Sequence, residues 1–239
     1  MYKKLISTLL ASTLISAPVL ADNVTIEVYN LTHATYFTPL LVAAHSDAAD
    51  VFEDGTPAST SLQAMAEGGD ISGLENDLKA LGANTVANPA GGLLAPGAST
   101  TATVDPHRGN RHLSVVAMLL PTNDGFVGLD AVEIPRKPGV YTYYLNGYDA
   151  GTEANDEIIN GAGAPGVPGV PADPGGNGGT GATGVSMTEQ NHNVHIHRGI
   201  IGDTDPRSGM SDLDTRVHRW INPVAKVVVT VKRGRHNDR

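Results

Sequence analysis

Apolar and polar residues alternate from Asn23 to Tyr29, with Val24, Ile26 and Val28 on one side. A period of two marks a half-buried strand. Tyr36 to Ala44 is a second apolar run, limited early by Pro39, which cannot donate to a ladder. Thr101 to Val104, Gly139 to Leu145, Asn193 to His197 and Pro223 to Val231 read as further strands, rich in β-branched and aromatic residues. His112 to Leu120 is nearly all apolar, so it belongs in the centre of a sheet.

Two segments carry a helical period instead. Ser59 to Glu67 reads as a short helix stopped by Gly68 and Gly69. Ile71 to Leu81 is a weaker helix, with Leu74, Leu78 and Leu81 on one stripe and Gly82 past its end. Pro89 to Pro96 is a loop. Many short strands with two minor helices in an early connection predict an all-β fold, an antiparallel sandwich. A single domain spans residues 22–233, with a basic tail at 234–239.

The segment 161–184 departs from this pattern. Glycine recurs every third residue at 163, 166, 169, 175, 178, 181 and 184, with prolines at 165, 168, 171 and 174. The pattern is collagen-like but too short and broken for a triple helix. It reads as a flexible, solvated loop inserted between two strands.

The first 21 residues stand outside the fold. Lys3 and Lys4 precede an apolar stretch from Leu5 to Ile15, and Val19-Leu20-Ala21 offers small residues at a cleavage site. This is a secretory leader cut after Ala21, and its apolar run is shorter than the ~20 residues a membrane span needs. No later stretch suits a bilayer. The expected location is periplasmic, cell-surface or secreted.

Composition narrows the chemistry. The chain of 239 residues has no cysteine, which excludes disulfides, thiolate metal sites and thiol catalysis. Its 25 Asp and Glu against 16 Lys and Arg give a net charge of -9, which argues against nucleic acid. The acids of interest fall in two loops. Asp124 lies in the loop Pro121-Thr-Asn-Asp-Gly-Phe-Val-Gly-Leu129 after the apolar strand, and Asp149 and Glu153 lie in a second loop, Asp149 to Glu157, after the strand that ends near Leu145. If the strands are neighbours, these three carboxylates converge. Calcium takes six to eight oxygens in irregular geometry, and Gly125 and Gly151 would let carbonyls turn inward. Crowded carboxylates without a cation would raise one another's pKa. The other reading is that all three are ordinary solvated turn acids.

The order of several segments resembles the spondin N-terminal domain family, which includes exported bacterial proteins. The resemblance rests on Asn30-Leu-Thr, Phe37-Thr-Pro39, His45, Pro57-Ala-Ser, Leu62, Ala66-Glu-Gly-Gly-Asp70, His112-Leu-Ser, Asp124-Gly-Phe-Val-Gly-Leu129, Tyr148-Asp-Ala-Gly-Thr-Glu153 and Arg219-Trp-Ile-Asn-Pro-Val-Ala225. It implies a C2-like β-sandwich with Ca2+ held between loops at one end by Asp124, Asp149 and Glu153. Asn155, Asp156 and Glu157 are further candidate ligands. Glu153 stands where the animal pattern has Asp, and the animal cysteines are missing.

Other constellations are weaker. His195 and His197 share one strand face near His192, but no third ligand stands at zinc spacing. They read as solvent-facing or hydrogen-bonded strand residues, and His33, His45 and His218 as structural. No nucleophile elbow, zincin motif or phosphate loop occurs. Asp149 and Glu153 could mimic a glycosidase pair, but four residues apart in one Gly-containing loop is a ligand-like arrangement with few aromatics to stack sugar, and Trp220 reads as core. The expected function is binding, not catalysis: a calcium-dependent adhesion module for an extracellular or surface polysaccharide, protein or lipid head group. A metal-dependent extracellular hydrolase and a self-associating structural subunit are the alternatives.

Overall fold

The computed structural model describes residues 24–107, 109–176 and 178–232. The leader expected at 1–21 and the tail expected at 234–239 lie outside the described residues. The strands are β1 (Val24–Asn30), β2 (Tyr36–Phe37), β3 (Leu41–His45), β4 (Asn84–Ala87), β5 (Ser99–Val104), β6 (His112–Leu120), β7 (Gly125–Glu133), β8 (Gly139–Asp149), β9 (His195–Ile196) and β10 (Ala225–Val231). Helices α1 (Thr60–Gly68) and α2 (Ser72–Ala80) lie between β3 and β4. The strands run antiparallel in the order β4-β3-β6-β7-β8-β10-β1-β5, with β2 on β6 and β9 on β8. The sheet curls until its ends meet, where the Asp105 amide donates to Asn84 Oδ1 at 2.8 Å. The fold is all-β and sandwich-like, as the alternation predicts.

The predicted inward stripe of β1 pairs with that of β10: Val24 with Val231, Ile26 with Val229, Val28 with Val227. All six are buried in the inner core. β6 is nearly all apolar because it has two dry faces. Leu113, Val115, Ala117 and Leu119 fill the inner core, while Val116, Met118 and Leu120 face a second core beneath the helices. Helix α1 starts where Ser59 Oγ accepts the Leu62 amide at 3.1 Å. It ends at Gly69, whose φ of 74° requires glycine. Leu74 and Leu78 are buried as expected, but Leu81 lies past the end of α2 and is 57% exposed. Trp220 is buried and lies against Gly147, where a β-carbon would strike its ring.

Three differences from the sequence reading matter for function. The stretch after Asp124 is not a loop: it is β7, and only residues 121–124 form the turn. Gly128, a turn signal on paper, is a packing residue. A β-carbon there would meet the Phe52 ring at 2.6 Å, inside the Phe52, Phe126 and Tyr148 aromatic cluster. β8 runs four residues beyond Leu145, so Asp149 closes a strand and does not begin a loop. The 161–184 segment packs on the body. Val170 is fully buried, the Val170 amide donates to Ile158 O at 2.8 Å, and Asp173 pairs with His218 at 3.0 Å.

A candidate metal centre at one end of the sandwich

β7 pairs with β8 so that Gly125 faces Asp149, and the Ala150 amide donates to Asp124 O at 3.2 Å. That register sets the turn before β7 beside the chain leaving β8. Gly151 has a φ of 70°, and a β-carbon there would lie 2.7 Å from Asn191 O and Asn193 O. Glycine is therefore required to bring 150–157 back over Asp124. Gly125 adopts ordinary strand backbone; its lack of a side chain leaves room for Thr122 and His197.

The three predicted acids are all buried. Asp124 Oδ2 accepts from the amides of Thr152 at 2.8 Å and Glu153 at 3.1 Å, and from Thr152 Oγ1 at 3.2 Å. Asp124 Oδ1 has no donor. Burial pushes the Asp124 carboxyl well above the usual range, and the Asp149 charge adds to the push. Asp149 Oδ1 accepts from the Gly151 amide at 2.9 Å and Oδ2 from Asn155 Nδ2 at 2.7 Å. Burial raises Asp149 too, opposed by those hydrogen bonds. Glu153 Oε2 accepts from the Gly169 amide at 2.9 Å and weakly from Asn123 Nδ2 at 3.4 Å, while Oε1 has no donor. Burial pushes Glu153 up to about 7 against the pull of the Gly169 amide.

The further candidates divide. Asn155 bridges Asp149 to His197, whose Nε2 donates to Asn155 Oδ1 at 3.1 Å because Nδ1 accepts the Gly199 amide. Burial lowers His197 to about 3, so the ring is neutral. His195 Nε2 stands 3.8 Å from Asp149 Oδ2. Asp156 Oδ1 accepts from Asn123 Nδ2 at 2.8 Å and the Ile158 amide at 3.0 Å. Glu157 turns away: its oxygens accept from the amides of Ile201 and Gly202 and from Ser211 Oγ at 2.6 to 2.8 Å. It is a strut for the 200–211 segment.

Two members were not singled out from sequence. Asn123, beside Asp124, links Glu153, Asp156 and the Glu157 amide. Glu67 on α1 is fully buried and adds its charge to Glu153. Its sequence signals are its place in the Ala66-Glu-Gly-Gly-Asp70 segment of the family resemblance and an acid where the end of a helix meets two glycines.

The described residues hold six buried carboxylates, at 67, 124, 149, 153, 156 and 157, and no buried Lys or Arg. Isolated buried carboxylates are costly, so the imbalance needs protons or a cation. The donor set is all oxygen, which suits a hard cation. Asp124 Oδ1 and Glu153 Oε1 are the orphaned acceptors that such an ion would take up, with Asp149 beside them. Among the described residues, no three His, Asp or Glu side chains converge closely enough to count as a ready metal cage. Any ion here would draw its remaining oxygens from amides, carbonyls and water.

No curated protein matches the chain. The Spondin_N family model matches residues 27–158, more than half of its length. The match runs from β1 to the end of the acidic loop and includes Glu67, Asn123, Asp124, Asp149 and Glu153. The chain belongs to the spondin N-terminal domain family.

Proposed function

We propose that this is an exported calcium-binding module for adhesion at a cell surface or in an extracellular matrix. Family membership supports the extracellular setting. Among the described residues no helix is long and apolar enough to cross a membrane. The observation that carries the calcium reading is the pair of buried carboxylate oxygens without donors, Asp124 Oδ1 and Glu153 Oε1, one from each of two apposed segments. Asp124, Asp149 and Glu153 would hold the ion, with Asn155 and Asp156 close by. The ion supplies positive charge that relieves the repulsion between the acids and fastens the two segments together. This fixes the shape of one end of the sandwich, which then presents a surface to a polysaccharide, protein or lipid head group.

The test is thermal unfolding of the purified protein in EDTA, then with calcium, magnesium or zinc. A ligand bound only by the folded state stabilises by about 2.7 kcal/mol at 100 times its Kd. At roughly 2–4 °C per kcal/mol for a domain of this size, the expected rise is about 5–10 °C. Calcium should give it and Asp149→Asn should lose it. No shift with any ion would overturn the calcium reading.

A further inference from the structure

Glu67 is buried where a carboxylate is least expected. It lies in the last turn of α1, where the helix dipole disfavours an anion, and that turn carries no basic residue. It is fully buried, and its charge raises the pKa of Glu153, itself only 4% exposed. None of the ion pairs among the described residues involves either acid.

Both acids grip the same short stretch of the Gly/Pro-rich insert. The Gly166 amide donates to Glu67 Oε2, and the Gly169 amide donates to Glu153 Oε2 at 2.9 Å. Gln63 Nε2 holds the other Glu67 oxygen at 2.8 Å. The insert lies directly on the end of α1, so closely that a β-carbon at Gly68 would collide with Gly163 O. One backbone amide and one side-chain amide orient the Glu67 carboxylate but leave its charge unbalanced. Glu153 Oε1 remains buried without a donor at this junction. Backbone amides alone would be served as well by neutral acceptors, so two carboxylates here call for a cation.

We propose that Glu67 is a member of the cation site, so that one divalent ion fastens α1 and the insert as well as the two acidic segments. This rests on the calcium reading above. The insert is then the cover of the site: occupancy by the ion and docking of residues 163–170 stabilise each other. The ligand class is a hard divalent cation, and Glu67 supplies a carboxylate from outside the two segments that hold the other acids.

The experiment measures calcium binding by titration calorimetry on the purified, chelator-treated protein and on Glu67→Gln and Asp124→Asn. Metal-free melting temperature and hydrogen exchange at Gly166 and Gly169 are followed in parallel. Glu67→Gln should weaken calcium binding tenfold or more, melt no lower than wild type without metal, and lose calcium protection of both amides. Asp124→Asn should abolish binding. If Glu67→Gln binds calcium as wild type does, Glu67 is only a hydrogen-bonding strut and the proposal falls, whatever happens to its melting temperature. If wild type binds no calcium, the underlying reading falls instead. Should Glu67→Gln not fold, Glu67→Asp keeps the charge and shifts the carboxylate. Intermediate affinity supports the proposal, and wild-type affinity overturns it.

Discussion

Two acidic regions sit in this molecule and differ in what their carboxylates touch. One is an open cavity of about 250 Å3, lined by Asp173, Asp203, Asp205, Asp212 and Asp214. On shape it is the more obvious place for a cation. Yet its acids are already occupied. Asp212 takes the amides of Ile159, Thr180 and Ala182, and Asp203 takes those of Asp205, Met210 and Ser211. The Ser211 amide foremost holds Asp203 below the usual range. Burial pushes Asp212 up, but the hydrogen bonds from Thr180, Ile159 and Ala182 outweigh it. The Arg216 guanidinium holds Asp214 at about 2. In the other region, Asp124, Asp149 and Glu153 are raised by burial, and two of their oxygens have no donor. The first group uses charge to tie loops to itself. The second holds charge that the protein leaves unbalanced.

The largest expected effect breaks a satisfied acid. Glu157→Ala strands three donors, the part-buried amides of Ile201 and Gly202 and the buried Ser211 hydroxyl, each costing about 1–3 kcal/mol. Denaturant unfolding should show a loss on the order of 4 kcal/mol, with the calcium response of the remaining folded protein intact. Next comes Gly151→Ala, where the positive φ and the carbonyls of Asn191 and Asn193 oppose a side chain. It should cost about 2 kcal/mol and weaken calcium binding, while Gly161→Ala, with a similar φ but open space around it, costs only about 1 kcal/mol in the same unfolding measurement.

The smallest effect is a pH dependence in the satisfied region. Burial lowers the His218 pKa, but the Asp173 carboxylate and other partners outweigh it, so the net shift is upward from 6.5. A raised histidine contributes stability that is fully present below pH 6.5 and lost as pH rises through the folded value. His218→Asn should flatten the stability profile over that window, a change within about 1 kcal/mol, readable as melting temperature against pH.

The β-rich architecture could be read from residue patterns because its core obeys a period of two. The stripes of β1 and β10 and the two-faced run of β6 are direct consequences. β7 was hidden because Asp124-Gly125 and Gly128 imitate turn chemistry, whereas Gly128 is small to admit Phe52. β4 carries no alternation; all but one of its residues are half-buried. The acids at 124, 149 and 153 were visible as loop charges next to apolar strands. Glu67 was not, since what brings it to the site is a contact with Gly166, 99 residues away. The docking of the insert was equally invisible: much of it is made by backbone amides, as at Gly166, Gly169 and Val170, and every residue type has those except proline.

The most direct test compares melting temperatures of wild type and Asp124→Asn, each in EDTA and in saturating calcium. The account predicts a crossing. Without metal, Asp124→Asn melts at or above wild type, because a buried and repelled charge is gone. In calcium it melts below wild type, because the ion has lost its site. A variant that melts lower than wild type by the same margin in both conditions would contradict it, making Asp124 a structural acid like Asp212.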